Sequence, residues 1–275
     1  MLVRKPTNER VLPVSKPALR KSKETVPTSL KAVYRAADII RCLQRGPMTL
    51  SDIAGELDVH KSTAHRLLQA LKDAALVVRS NLDRRYYLGS LISELVSDPE
   101  VTHQYLVSCA LNPMKQLARF TGESIGLNIL IGLSNILLFE IPSTHNLRIV
   151  AKKKVVNNLY AGSGSKVLLA QLEPKELMIA VSNLDYKPLT ERTITSKEEL
   201  LAQVNRIKAQ GYAMCYGERI AGAMNIAIPV RNYFVPSAVG ILGLESRMKP
   251  RTEEYLKALQ EAGARIEDNI SSTIF

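Results

Sequence analysis

The sequence predicts an α+β protein: an N-terminal winged helix-turn-helix followed by an antiparallel sheet flanked by helices. Three observations carry this. Between residues 29 and 90, three stretches with apolar residues at helical spacing precede two short strand-like runs joined by a turn. From Ser124 onward, apolar runs of strand length alternate with helical stretches, and the first two are split by a hairpin signal. The charge is also uneven. The first 95 residues hold 17 basic and 9 acidic side chains, and the remainder hold 20 and 17. A basic segment joined to a nearly neutral one suggests a polyanion-binding module attached to something else.

The chain has 275 residues, 46% of them hydrophobic and 23% charged. That is ordinary globular composition with enough length for about two domains of ~150 residues. Wholesale disorder and collagen-like structure are excluded. No apolar run approaches the ~20 residues of a membrane span, and the N-terminus does not have the pattern of a secretory signal. Cys42, Cys109 and Cys215 are far apart and odd in number, so neither a disulfide framework nor a metal pattern is expected. A reduced, cytoplasmic protein follows as the expectation.

Residues 1–28 contain four prolines and carry 7 basic and 2 acidic side chains, as expected of a disordered basic arm. This arm explains more than half of the front-end charge, so charge alone does not decide for nucleic acid. Val33, Ala36, Ala37, Ile40 and Leu43 form the apolar face of a first helix, which Gly46-Pro47 stops. Thr49-Leu-Ser-Asp52 has the form of a capping box with Asp in place of Glu, and the helix it opens buries Leu50, Ile53, Ala54 and Leu57. Asp58 stands where the turn needs a residue that tolerates the left-handed conformation. The third helix is expected over 61–74 with Ala64, Leu67, Leu68 and Leu71 inward. Residues 76–79 and 84–88 read as the two strands of a wing.

Residues 91–113 are expected to form a linker helix region, with Asn112-Pro113 either kinking a helix or starting a new one. A second domain is expected over 114–275. Its strands are predicted at 124–132, 135–141, 147–151, 212–216, 222–231 and 238–245. Its helices are predicted at 167–172, 175–182, 196–210 and 250–272.

Several short motifs agree in order with one family. In the first domain they are Ala-Val-Tyr-Arg35-Ala36-Ala-Asp-Ile-Ile, Lys61-Ser-Thr63-Ala-His65-Arg66-Leu-Leu and Tyr87-Leu-Gly89. In the second they are Phe120-Thr-Gly-Glu123-Ser, Ala161-Gly-Ser163-Gly-Ser165-Lys166-Val-Leu-Leu-Ala170, Thr193-Ile-Thr195, Gly211-Tyr-Ala213 and Ile226-Ala-Ile-Pro229-Val. From about Ala32 to the C-terminus the chain resembles the IclR family of bacterial transcription factors. The resemblance implies a GAF/profilin-like effector-binding domain behind the winged helix-turn-helix. It also implies a homo-oligomer, dimer or tetramer, that represses or activates promoters. The first helix and the 90–121 region would form the dimer contacts.

In such a module the N-terminal turns of the third helix face the base edges. Lys61, Thr63 and His65 are the candidates for reading bases, Ser62 and Arg66 for holding phosphates, and Gln69 for reaching an adenine. Arg79, Arg84 and Arg85 would grip the backbone or minor groove from the wing. For each, the alternative is an exposed polar residue that touches nothing.

The Gly162–Lys166 stretch opens a helix, and the amides of Ser163, Gly164 and Ser165 could bind a carboxylate. A Gly-rich start that serves only the fold is the alternative. A phosphate loop is a poor alternative, because Val167, not Ser or Thr, follows Lys166. The resemblance implies that Cys215, Asn225, Gly243 and Glu245 complete the pocket. Cys215 stands where the family commonly has Asp, and Gly243 and Glu245 where it often has Ser. An inward Glu245 would favour an amine or hydroxyl over a second carboxylate; an outward one would mean nothing. Nothing in the sequence has the spacing of a catalytic triad, a GxSxG elbow or a metal cluster, so neither an enzyme nor a cofactor is expected. The expected partners are an operator duplex, a small organic, carboxylate-bearing effector and further copies of the chain. A constitutive DNA binder without an effector stays open.

Overall fold

A computed structural model describes residues 30–149 and 158–272, which divide into two compact units between Thr102 and His103. The expected basic arm lies outside the described residues.

The first unit opens with three helices, α1 (Lys31–Gln44), α2 (Leu50–Glu56) and α3 (Lys61–Asp73). Their inward faces carry Ile39, Leu43, Ile53, Leu68 and Leu71, all buried. Burying each such side chain is worth about 1.5–3 kcal/mol, so this cluster is what holds three short helices together. Thr49 caps α2 as expected. Its side chain accepts from the Asp52 amide while the Asp52 carboxylate accepts from the Thr49 amide. Those bonds hold the Asp52 carboxyl below its ordinary pKa. The turn between α2 and α3 runs through Asp58 at φ +50°, the left-handed conformation an Asx residue tolerates.

Two strands, β1 (Val77–Arg79) and β2 (Tyr86–Leu88), pair antiparallel to make the wing. A single bridge between Met48 and Tyr86 adds a third short edge to it. Val77 and Tyr86 pack into the helical core. After the wing, α4 (Ser90–Val96) starts directly at Gly89 as a helix of its own. Gly89 is required there, because a Cβ would sit 2.1 Å from the Ala75 carbonyl oxygen. α5 (Pro99–Thr102) closes the unit.

The second unit is a five-stranded antiparallel sheet in the order β4-β3-β7-β6-β5, with helices on both faces. Its strands are β3 (Ser124–Ile131), β4 (Ser134–Ile141), β5 (Ala213–Tyr216), β6 (Ala223–Val230) and β7 (Ser237–Leu244). One face is covered by α6 (Gln104–Thr121) and α11 (Thr252–Ser271), over Ile125, Leu127, Ile129, Ile226, Ile228, Val239 and Ile241. The other carries α7 (Ser163–Ala170), α8 (Pro174–Ser182) and α9 (Lys197–Gln210) over Ala213, Ala227 and Ala238. Alternate residues point to opposite faces. The same strands therefore present branched side chains to α6 and α11 and small ones, Gly126 and Gly240 included, to α7. That asymmetry leaves room beneath the N-terminus of α7.

Pro113 does not start a new helix; it lies inside α6. A proline removes the bond to the carbonyl four residues earlier. That carbonyl, Cys109 O, instead accepts from Asn269 Nδ2 of α11 at 2.8 Å. The expected strand at 147–151 is not formed at Leu147, Arg148 or Ile149; its last two positions lie outside the described residues. The long C-terminal helix begins two residues later than predicted, because α10 (Glu245–Met248) and a 3-10 turn (Lys249–Arg251) precede it.

Candidate functional site

The outward face of α3 is basic. Lys61, Ser62, His65, Arg66 and Gln69 are exposed, Thr63 is half-buried, and Ala64, Leu68 and Leu71 point into the core. The helix start has a cap the sequence did not signal. The ring Nδ1 of His60 accepts from the Ser62 amide (3.3 Å) and meets the Ser62 hydroxyl at 2.8 Å. Ser62 Oγ is thus engaged locally. Gln69 is also engaged: its Nε2 donates to Asp73 Oδ1 at 2.8 Å. Lys61, Thr63, His65 and Arg66 have no hydrogen bond from their side chains to any described residue.

The three wing arginines differ. Arg79 lies over the Tyr86 ring, 5.6 Å from its centroid. Arg85 Nη1 donates to the Pro47 carbonyl at 3.1 Å, which ties it to the wing's base. Arg84 stands exposed at the turn, at φ +58°, with no side-chain partner among the described residues. The turn is held by Asp83, whose carboxylate accepts from the Arg85 amide (3.0 Å) and the Tyr87 hydroxyl (2.6 Å). The bond from Tyr87 is the main reason the Asp83 carboxyl titrates below its ordinary range.

In the second unit, Ser163, Gly164, Ser165 and Asn225 line one cavity of about 90 Å³. Gly162, the N-cap of α7, sits at φ +91°, and a Cβ there would press on Arg219 Cδ at 3.1 Å. The first four amides of a helix lack partners within it and attract anions. Here the Gly162 amide is taken by Glu218 Oε2 (2.9 Å) and the Ser163 amide by Asn225 Oδ1 (3.4 Å). The amides of Gly164 and Ser165 have no partner among the described residues. Arg219 lines the same cavity, and burial lowers the pKa of its guanidinium without discharging it. Glu140 lines the wall on β4.

Three expected pocket residues lie elsewhere. Gly243 pairs with Met224 and faces the α6 and α11 side, where a Cβ would meet the Glu123 carboxylate at 2.5 Å and Met248 Sδ at 2.9 Å. Its neighbour Leu242, paired with Asn225, is the residue on the cavity wall. Glu245 starts α10 and pairs with Arg192 (3.0 Å) and Lys249 (3.7 Å). Cys215 is buried on β5 and lines a separate cavity of about 300 Å³ with Lys166, Arg192, Gln203 and Arg206. Burial pushes its thiol up to about 12, so it is not a reactive thiolate.

Asn128, Asn135 and Arg219 line the cavity and were not anticipated. Asn128 had a readable signal: it is a polar residue inside an apolar strand, a placement that needs a partner.

Among the described residues no helix is long and apolar enough to cross a membrane, and no group of three or more His, Cys, Asp or Glu could hold a metal ion.

A helix-turn-helix with a basic outward helix, followed by an α+β ligand-binding unit, defines a transcriptional regulator that binds DNA and is not an enzyme. Residues 32–80 match the IclR helix-turn-helix domain, and residues 100–268 match the family described as bacterial transcriptional regulator IclR C-terminal. The chain belongs to the IclR family. It is 30% identical over 247 residues to the HTH-type transcriptional regulator KdgR of Escherichia coli, covering 87% of this chain and 92% of that one. Among solved structures it is similar to a transcriptional regulator of Rhodococcus sp. RHA1, at 26% identity and a TM-score of 0.57, covering 88% and 98% of the two chains. The fold is also shared with the IclR protein of Thermotoga maritima, at 23% identity and a TM-score of 0.58, covering 88% and 99%.

Proposed function

We propose that this regulator senses a small carboxylate in the cavity at the N-terminus of α7, and that binding changes the affinity of α3 for an operator. The observation that carries this is the pair of open amides, Gly164 and Ser165, at the N-terminus of α7 on the cavity wall. Fixed N–H groups at a helix N-terminus favour a negative group. The cavity is far below the ~300–1,000 Å³ of drug-sized pockets, which favours a short acid.

In this reading Lys61, Thr63 and His65 address bases and Arg66 and Arg84 hold phosphates. Ser62, Gln69, Arg79 and Arg85 position the helix and wing, because each already has a neighbour of its own. One module reads few base pairs, so specific control needs two half-sites and at least a dimer. The exposed Val33 and Tyr34 on α1 are suited to such a contact. The buried free cysteines fit the reducing cytoplasm.

The test is thermal melting of the full chain against short carboxylates, aromatic acids, amino alcohols and sugars. A ligand that binds only the folded state raises the melting temperature by mass action. Stabilisation by carboxylates alone supports the reading. Stabilisation by none of them favours a constitutive DNA binder.

A further inference from the structure

We propose that Asn135 Oδ1 accepts a hydrogen bond from a hydroxyl on the bound carboxylate, which makes the effector a short α- or β-hydroxy acid. The inference rests on the carboxylate reading of this cavity and specifies what else the ligand must carry.

Asn135 lies on β4, is 3% exposed, and lines the cavity. Its Oδ1 is the buried side-chain polar atom left without a hydrogen-bond partner among the described residues. The orientation of its amide follows from a chain of three groups. The Asn158 backbone carbonyl can only accept, and it accepts from Ser165 Oγ at 2.9 Å. With its one proton committed, Ser165 Oγ can only accept from Asn135, and it does so from Nδ2 at 2.8 Å. The Asn135 oxygen must therefore face away from Ser165. Rotating the amide would either set oxygen against oxygen or, with the Ser165 proton turned to Asn135, leave the carbonyl of Asn158 without its donor.

A buried acceptor with no donor is costly, and nearly all such atoms in native proteins are satisfied. The neighbouring cavity residues do not remedy this: the Ser165 hydroxyl has given its one proton to the Asn158 carbonyl, and no described group donates to Asn135 Oδ1. Oδ1 is sealed from solvent, so a ligand pressed against this wall supplies the missing donor with a small turn of the Asn135 side chain. The acceptor lies one side chain away from the Ser165 amide that would hold the carboxylate. The donor must then sit on a carbon close to the carboxyl group. A keto oxygen in that place would oppose Asn135 Oδ1 with a second acceptor. An ammonium would bring a charge and three donors, of which Asn135 Oδ1 satisfies one.

The experiment is isothermal titration of the full chain with matched acids: lactate, propionate, pyruvate and alanine, then 3-hydroxybutyrate and butyrate. The hydroxy acid of each set is expected to bind about tenfold or more tightly than its deoxy and keto partners. In Asn135→Leu that preference is expected to vanish while propionate binding persists. Because this variant also loses the bond to Ser165, the comparison within the unaltered chain stands if the variant fails to fold. Equal binding of lactate, propionate and pyruvate would overturn the hydroxyl acceptor while leaving the carboxylate site intact. Tighter binding of alanine than lactate would reassign the acceptor to an ammonium and overturn the proposal. Binding of none of the acids would overturn the carboxylate reading and this inference together.

Discussion

Glu218 joins Lys166 to the N-terminus of α7: its Oε1 lies 2.5 Å from Lys166 Nζ, and its Oε2 accepts from the Gly162 amide at 2.9 Å. Lys166 is fully buried and also donates to Gln203 Oε1. The pair fixes the loop that forms the cavity floor. Removing one partner of a buried ion pair costs about 3–5 kcal/mol, whereas replacing both with apolar groups can be nearly neutral. Glu218→Gln should therefore lower the melting temperature by roughly 10 °C. The double change Lys166→Met with Glu218→Leu should recover much of that loss. Calorimetry of the three variants checks it; a Glu218→Gln variant as stable as the parent would show that the pair does not hold the loop.

Gly164 is the position where the cavity can be filled without backbone strain. A Cβ there would meet Asn128 Nδ2 at 3.5 Å, an ordinary contact. Gly164→Leu should abolish ligand-induced stabilisation and leave DNA affinity in the absence of ligand within about twofold, since the variant residue lies in the ligand-binding unit. Melting curves and fluorescence anisotropy read the two separately. A retained ligand response would move the effector site away from α7.

The wing makes a prediction about salt. Arg84 is exposed without a side-chain partner among the described residues, and Arg85 is bonded to the Pro47 carbonyl. Arg84→Ala should lower the slope of log affinity against log salt by about 1, the signature of one lost phosphate contact. Arg85→Ala should change the slope less and reduce the stability of the wing. The reverse order in a salt titration would assign the phosphate contact to Arg85.

His103, the first residue of the second unit, is 4% exposed, its Nδ1 2.9 Å from the Tyr233 hydroxyl and its ring stacked on Phe234. Burial lowers its pKa in the folded chain. The unfolded chain takes up this proton near pH ~6.5, before the folded one does. The contribution of His103 is therefore complete above that pH and is lost as the pH falls from there toward the depressed folded value. His103→Phe should flatten the acid limb of stability below about pH 6.5. An unchanged limb in chemical denaturation across that range would show that the ring titrates alike in both states.

The first unit was largely legible in the sequence. Ile53, Leu68 and Leu71 recur at helical spacing, Thr49 and Asp52 announce a cap, and Asp58 marks the turn. Such signals are local, so they survive without tertiary information. The cavity was legible only in part. Ser163 to Ser165 declared a helix start, but the far wall depends on which face of β7 looks at α7. A one-residue difference in parity put Leu242 on the cavity and Gly243 on the opposite side. Asn135 lies next to a turn, where asparagine is common, so the buried role that its position in β4 creates was hidden. Residues 147–149 show the converse: Leu147 and Ile149 flank Arg148 in a strand-like alternation, yet no strand forms over these three residues.

The central claim is that ligand occupancy of the α7 cavity changes operator affinity. The most direct test selects a binding duplex from a random pool with the full chain, then follows its affinity by anisotropy as lactate and propionate are titrated in. The account predicts a selected motif with two half-sites and a shift in affinity of about fivefold or more, reached at lower lactate than propionate concentration. A selected duplex whose affinity stays constant while calorimetry shows the acids bound would contradict it.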